Sequence, residues 1–68
     1  MYKIKFMLYE KRILANITQA NLAEKCNISQ SYISRLERNL KSPNLKIIEN
    51  LSNALEINPL ELFKIIEY

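Results

Sequence analysis

Gln30, Ser31, Ser34, Arg35 and Arg38 are the side chains of this sequence best suited to recognition chemistry. At about 100° per helical residue they fall within an arc of roughly 140°, with Ile33 and Leu36 on the opposite side. One face of such a helix is apolar and anchored. The other presents an amide, two hydroxyls and two guanidinium groups with no carboxylate between them. A Gln amide pairs bidentately with adenine N6 and N7, an Arg guanidinium with guanine O6 and N7, and a Ser hydroxyl bonds to bases or phosphates. Any surface helix has a polar face, so the arc alone leaves an ordinary solvated surface as an equal reading. Placement shifts the balance. The arc occupies the first half of a segment that follows a short break, where a helix-turn-helix carries its reading residues.

The chain offers little for other chemistry. It contains no His, Asp, Gly, Trp or Val. Without His or Asp, most hydrolytic and metal-binding constellations cannot be assembled. Cys26 is the single cysteine, so no internal disulfide or thiolate cluster can form and no His can activate it. It reads as a small core residue in a reducing compartment. No Gly-rich phosphate loop exists. We therefore expect no enzyme activity, no cofactor and no metal. No run approaches the roughly 20 apolar residues of a membrane span and no secretory signal precedes the domain, so a cytoplasmic location is expected. At 68 residues, 49% hydrophobic and 25% charged, the chain reads as one small globular domain over residues 1–68. No second domain that would hold a small-molecule effector is expected.

The elements that must carry the recognition face follow from apolar period and cap residues. A period near 3.6 runs throughout, and without Val or Gly-bearing hairpin turns strands are not expected. A first helix is predicted over about 3–14, with Ile4, Met7, Leu8 and Ile13 on its apolar side. A second starts at the N-cap Thr18 and ends at Cys26. The third starts at the N-cap Ser29 and ends near Arg38. A fourth begins after Pro43 with Asn44 as cap and carries Leu45, Ile48, Leu51 and Leu55. A fifth opens at Asn58, with Pro59 in its first turn and Glu61 three residues on. Ile17 with Leu22, Ile28 with Ile33, and Ile57 with Leu62 repeat the spacing of a hydrophobic staple. Asn16, Asn27 and Asn39 stand at helix ends, where a left-handed residue is wanted. The second and third helices are joined by three residues, the geometry of a helix-turn-helix.

The stretch from Ile17 to Arg38, ITQANLAEKCNISQSYISRLER, resembles the signature of the phage-repressor and Cro-like (Xre) DNA-binding family. The resemblance continues through Ser42-Pro43 and Leu51–Leu55 to Leu62-Phe63, nearly the whole chain. It implies an all-α, five-helix bundle of the lambda-repressor-like type, with the third helix in the major groove of double-stranded DNA. It implies base reading by Gln30, Ser31 and Arg35, to which the wheel adds Ser34. Thr18 and Gln19 at the start of the second helix, and Arg38, Asn39 and Lys41 beyond the third, are expected at phosphates. Tyr32 sits between the two faces; packing, a phosphate or a thymine methyl are all open to it, and it is counted with the phosphate set. Arg12 and Glu37 match an inter-helix ion pair with a structural role. The departures are mostly at positions where the family uses Gly: Asn16, Asn27 and Asn39 suit them, whereas Glu56 suits its position less well and the fourth helix is expected to end differently there or to continue a residue further.

Charge supports the same docking. The net charge is +3 with a pI near 9.2. Residues 1–29 carry five basic against two acidic groups, residues 30–46 four against one, and residues 47–68 one against four. The predicted fifth helix leaves Leu60, Ile65, Ile66 and Tyr68 beyond what one core contact needs. A two-fold homodimer through that helix is expected, spacing two reading helices about 34 Å apart on a near-palindromic operator. The resulting expectation is a transcriptional regulator, a repressor first. The alternative is a protein-interaction helix-turn-helix, such as the antitoxin half of a toxin–antitoxin pair; the polarised charge and the Gln30/Arg35 face favour DNA.

Overall fold

Four joints without a single glycine organise the molecule. The computed structural model describes residues 1–68. Its order is strand β1 (Tyr2–Phe6), helices α1 (Leu8–Leu14), α2 (Gln19–Cys26), α3 (Gln30–Glu37) and α4 (Leu45–Leu55), a 3-10 turn at Pro59–Leu62 and strand β2 (Phe63–Glu67). Each α-helix is followed by a residue in the left-handed region: Asn16, Asn27, Asn39 and Glu56, at φ of 55°, 55°, 59° and 55°. The next residue in each case turns its N–H back five positions: Ile17 to Arg12, Ile28 to Ala23, Leu40 to Arg35 and Ile57 to Ser52. This is the Schellman arrangement, with an apolar residue at its outer position each time. Ile17, Ile28 and Ile57 then serve a second time, as the residue before the cap of the element that follows. All three pack against the core that contains Leu22, Ile33 and Leu62. One side chain closes one element and seats the next, which is why the connections are so short.

The starts are equally explicit. Thr18, Ser29 and Asn44 accept hydrogen bonds from the N–H groups of Asn21, Tyr32 and Ile47 at 3.1, 3.0 and 2.9 Å. Asn58 and Glu61 form a reciprocal capping box around the 3-10 turn. The core gathers Leu8, Leu22, Ala23, Cys26, Ile33, Leu36, Leu51, Leu55 and Leu62. Burial raises the Cys26 thiol above its ordinary pKa, so it stays protonated and packs as a small apolar group.

The chain's two ends depart from the expected helices. Residues 2–6 and 63–67 form a two-stranded antiparallel ribbon, pairing Tyr2 with Glu67, Lys3 with Ile66, Ile4 with Ile65, Lys5 with Lys64 and Phe6 with Phe63. Further bonds from Met7 N–H to the Leu62 carbonyl and from Tyr68 N–H to the Met1 carbonyl extend the ladder at 2.7 and 2.8 Å. The first helix therefore starts at Leu8, not near residue 3, and Ile4 is exposed rather than in the core. The fifth helix is only the 3-10 turn. The fold is a four-helix domain with a small sheet, not an all-α five-helix bundle. Physically, Tyr2, Ile4 and Phe6 alternate with Lys3 and Lys5, which suits a half-covered strand. Phe6 and Phe63 anchor the ribbon, their ring centroids 5.5 Å apart and both half-buried against the core.

Glu56 is where a glycine is missed. α4 ends with this residue left-handed, despite its side chain. For a residue other than Gly or Asn that conformation costs about 1 kcal/mol or more. Glu56→Gly is expected to stabilise the domain by up to about 1 kcal/mol, or about 4–8 °C in Tm at this chain length. A thermal melt at or below the wild-type Tm would show that Glu56 is held by interactions that offset its backbone.

Candidate nucleic-acid interface

α2 and α3 meet across Asn27, Ile28 and Ser29, with both helices held from beneath. Leu22, Ala23 and Cys26 root α2; Ile33 and Leu36 root α3. On the outer side Gln30, Ser31 and Arg35 are exposed and Ser34 is half-buried. None of these four side chains makes a hydrogen bond within the chain, so their donors and acceptors are free for another molecule. Arg38 is exposed and its Nε donates to the Ser34 carbonyl at 3.3 Å, which draws it along the end of α3. Asn39 and Lys41 follow, both exposed. Tyr32 is half-buried against the core, and the Lys41 ammonium lies 5.3 Å from its ring centroid. That contact steadies a long lysine beside α3.

Beneath this surface lies a buried polar junction. Arg12, on α1, reaches Glu37 at the end of α3 through two parallel N–H bonds: Nε to Oε2, and Nη2 to Oε1 at 3.1 Å. Its Nη1 donates to the Ile17 carbonyl at 3.0 Å, and its guanidinium stands 5.5 Å from the Tyr9 ring centroid. The side chains of Arg12 and Glu37 are only 10% and 4% exposed. The hydrogen bond to Glu37 raises the Arg12 pKa, against the opposing pull of burial. Gln19 joins the pair, its Nε2 donating to Glu37 Oε1 at 2.9 Å. Glu37 therefore ties together α1, the first residue of α2 and the last residue of α3. One amide N–H and the carbonyl of Gln19 remain free, beside the N–H groups that open α2.

A family model described as helix-turn-helix matches residues 8–62, from the start of α1 to the end of the 3-10 turn. The chain belongs to the helix-turn-helix family. The immunity repressor protein of Bacillus phage phi105 is 38% identical over 55 residues, which cover 81% of this chain and 35% of that protein. Control protein C.BamHI of Bacillus amyloliquefaciens is 38% identical over 48 residues, covering 71% of this chain and 59% of that protein. This chain thus spans about a third of one curated relative and three-fifths of the other.

In this helix-turn-helix domain α2 and α3 are the paired helices, and the family match stops short of both strands. The apolar residues expected on a fifth helix are not one patch. Leu60 lies on the 3-10 turn, 79% exposed; Ile65 and Ile66 point to opposite faces of the ribbon; Tyr68 follows β2. Adjacent residues share an arc on a helix but alternate sides on a strand. Two features escaped the sequence. The engagement of Gln19 by Glu37 spans 18 residues and has no local signature. The ribbon lysines had one, the alternation of residues 2–6. No helix is long and apolar enough to cross a membrane.

Proposed function

We propose that this chain is a sequence-specific double-stranded DNA-binding regulator of transcription, acting as a repressor in the cytoplasm. The observation that carries the reading is the free α3 face: Gln30, Ser31, Ser34 and Arg35 stand rooted on a buried apolar side, with no internal partner for their polar groups. Gln30 and Arg35 are the base-edge readers, with Ser31 and Ser34 beside them. Thr18, Gln19, Tyr32, Arg38, Asn39 and Lys41 flank them as the backbone contacts. Thr18 spends its oxygen lone pair on the cap but keeps its hydroxyl hydrogen for a phosphate. Gln19, oriented by Glu37, has its second N–H to give. The similarity to an immunity repressor protein and to a control protein supports this assignment.

The regulator acts as a homodimer on a near-palindromic operator. Here the ribbon replaces the missing helix as the contact. Its Tyr2, Ile4 and Ile65 share one face, continuous with the half-buried Phe6 and Phe63, and are 70%, 66% and 67% exposed. A two-stranded ribbon is marginal by itself and gains a cover from a second copy.

Selection of bound duplexes from a random pool tests the reading directly. A single enriched, two-fold-symmetric sequence is expected. On that sequence Arg35→Ala should cost about 1–3 kcal/mol and relax the preference at one position of each half-site. Recovery of no sequence preference, or wild-type affinity in Arg35→Ala, overturns the base-reading assignment.

A further inference from the structure

The other face of the ribbon carries an unexplained cost. The register sets Lys3, Lys5 and Lys64 on one side, with Ile66, and places Lys5 directly opposite Lys64. Like charges at directly opposed positions destabilise a strand pair. No acidic group relieves them: Glu67, the one carboxylate of the ribbon, lies opposite Tyr2 on the apolar face, and the two ion pairs of the molecule join other residues. All three lysines are exposed. The face does not end at the ribbon. A recess of about 320 Å³, lined by Lys3, Ile4, Lys5, Asn39 and Ile66, joins it to the loop that follows α3. Asn39 is therefore shared between the lysine face and the loop that holds Lys41.

We propose that Lys3, Lys5 and Lys64 form a second phosphate-binding surface, which extends the α3–loop contact along the DNA backbone beyond the bases that α3 reads. This rests on the DNA-binding reading above. The occupant is a polyanion because the face is a cluster of cations held together against their own repulsion, and continuity with Asn39 and Lys41 makes it the same nucleic acid that α3 engages. Ammonium groups act there as point charges that release counterions without reading sequence. The contribution is therefore to affinity and its salt dependence, not to base preference.

The test is Lys5→Gln/Lys64→Gln on the selected duplex, compared with wild type and with the charge-matched variant Lys25→Gln/Lys46→Gln, whose sites lie on α2 and α4. Removing the opposed pair relieves repulsion, so the Tm should hold or rise. Two lost phosphate contacts remove about 1.8 from the slope of log affinity against log salt, so between 50 and 200 mM salt wild type should lose about tenfold more affinity than the ribbon variant. The preferred sequence should not change, and the charge-matched variant should keep the wild-type slope. A wild-type slope in the ribbon variant, or an equal drop in both variants, overturns the proposal while leaving the α3 reading intact. A wild-type protein that selects no duplex overturns both.

Discussion

Arg12→Met should be the most damaging single substitution outside the apolar core. Its guanidinium gives three hydrogen bonds, two to Glu37 and one to the Ile17 carbonyl. Without it Glu37 would remain nearly buried with only the Gln19 amide for company. Breaking a buried pair from one side costs about 3–5 kcal/mol, because a charge is left without compensation. A domain of this length has about 3–10 kcal/mol in total, so the variant should melt far earlier, or be partly unfolded at room temperature. Urea or thermal denaturation reads this directly. The companion Arg12→Met/Glu37→Leu should recover most of the loss, since replacing both ions by apolar groups is often neutral or better. Measured cold, where Arg12→Met is folded, operator affinity should be near normal. Unchanged stability would overturn the structural role of the junction, and a many-fold loss of affinity in the fully folded variant would show that Arg12 contacts phosphates directly.

Ile65→Glu should convert the proposed dimer into a folded monomer. The residue is 67% exposed and directly opposite Ile4, so the charge falls in the middle of the apolar face without entering the core. A monomer reaches one half-site only, and losing the second, tethered contact should weaken operator binding by about a hundredfold or more. The concentration dependence of the wild-type Tm should vanish with it. Ile66→Glu makes the discriminating comparison. Its side chain lies on the lysine side, paired with Lys3, so the dimer should survive. A helical C-terminus would have put both residues in one interface; a ribbon separates them. Sedimentation of wild type as a monomer at high micromolar concentration, free of DNA, would remove the interface.

What the sequence disclosed, and what it hid, divides along a physical line. Thr18, Ser29, Asn44 and Asn58 act as caps where their types and spacing placed them, because a cap is satisfied within three residues. The left-handed asparagines were legible for the same reason. Glu56 was not: it takes the left-handed place itself, since the Schellman bond from Ile57 and the burial of Leu55 fix the end of α4 regardless of its side chain. The ribbon depends on a partner some 60 positions away. Its first strand alternates, but its second reads Lys64-Ile65-Ile66-Glu67, which has no period of two, and its spacing from Leu60 and Leu62 suits a helix as well. The outer face of α3 could be read from a wheel alone. The Gln19–Glu37 bond could not, because only the fold brings its segments together, and the alternation of residues 2–6 marks Lys3 and Lys5 but not Lys64, which the fold sets beside them.

The ribbon also sets an order of events. Its strands lie at opposite ends of the chain, so neither can pair during synthesis until residue 63 and its successors have been made. Closing so long a loop in an unfolded chain is entropically unfavourable, and contacts of this separation slow folding when they must form first. Here they need not. Once α1 packs against the 3-10 turn, Met7 and Leu62 are hydrogen-bonded and the Phe6 and Phe63 rings are already neighbours. The loop has then been closed by the core, and the remaining pairs zip outward from that junction as a local event. α2 and α3, the helices proposed to face DNA, are thus expected to assemble from short-range joints first. The ribbon face proposed for a second copy is expected to be completed last, only on a chain whose ends have both arrived.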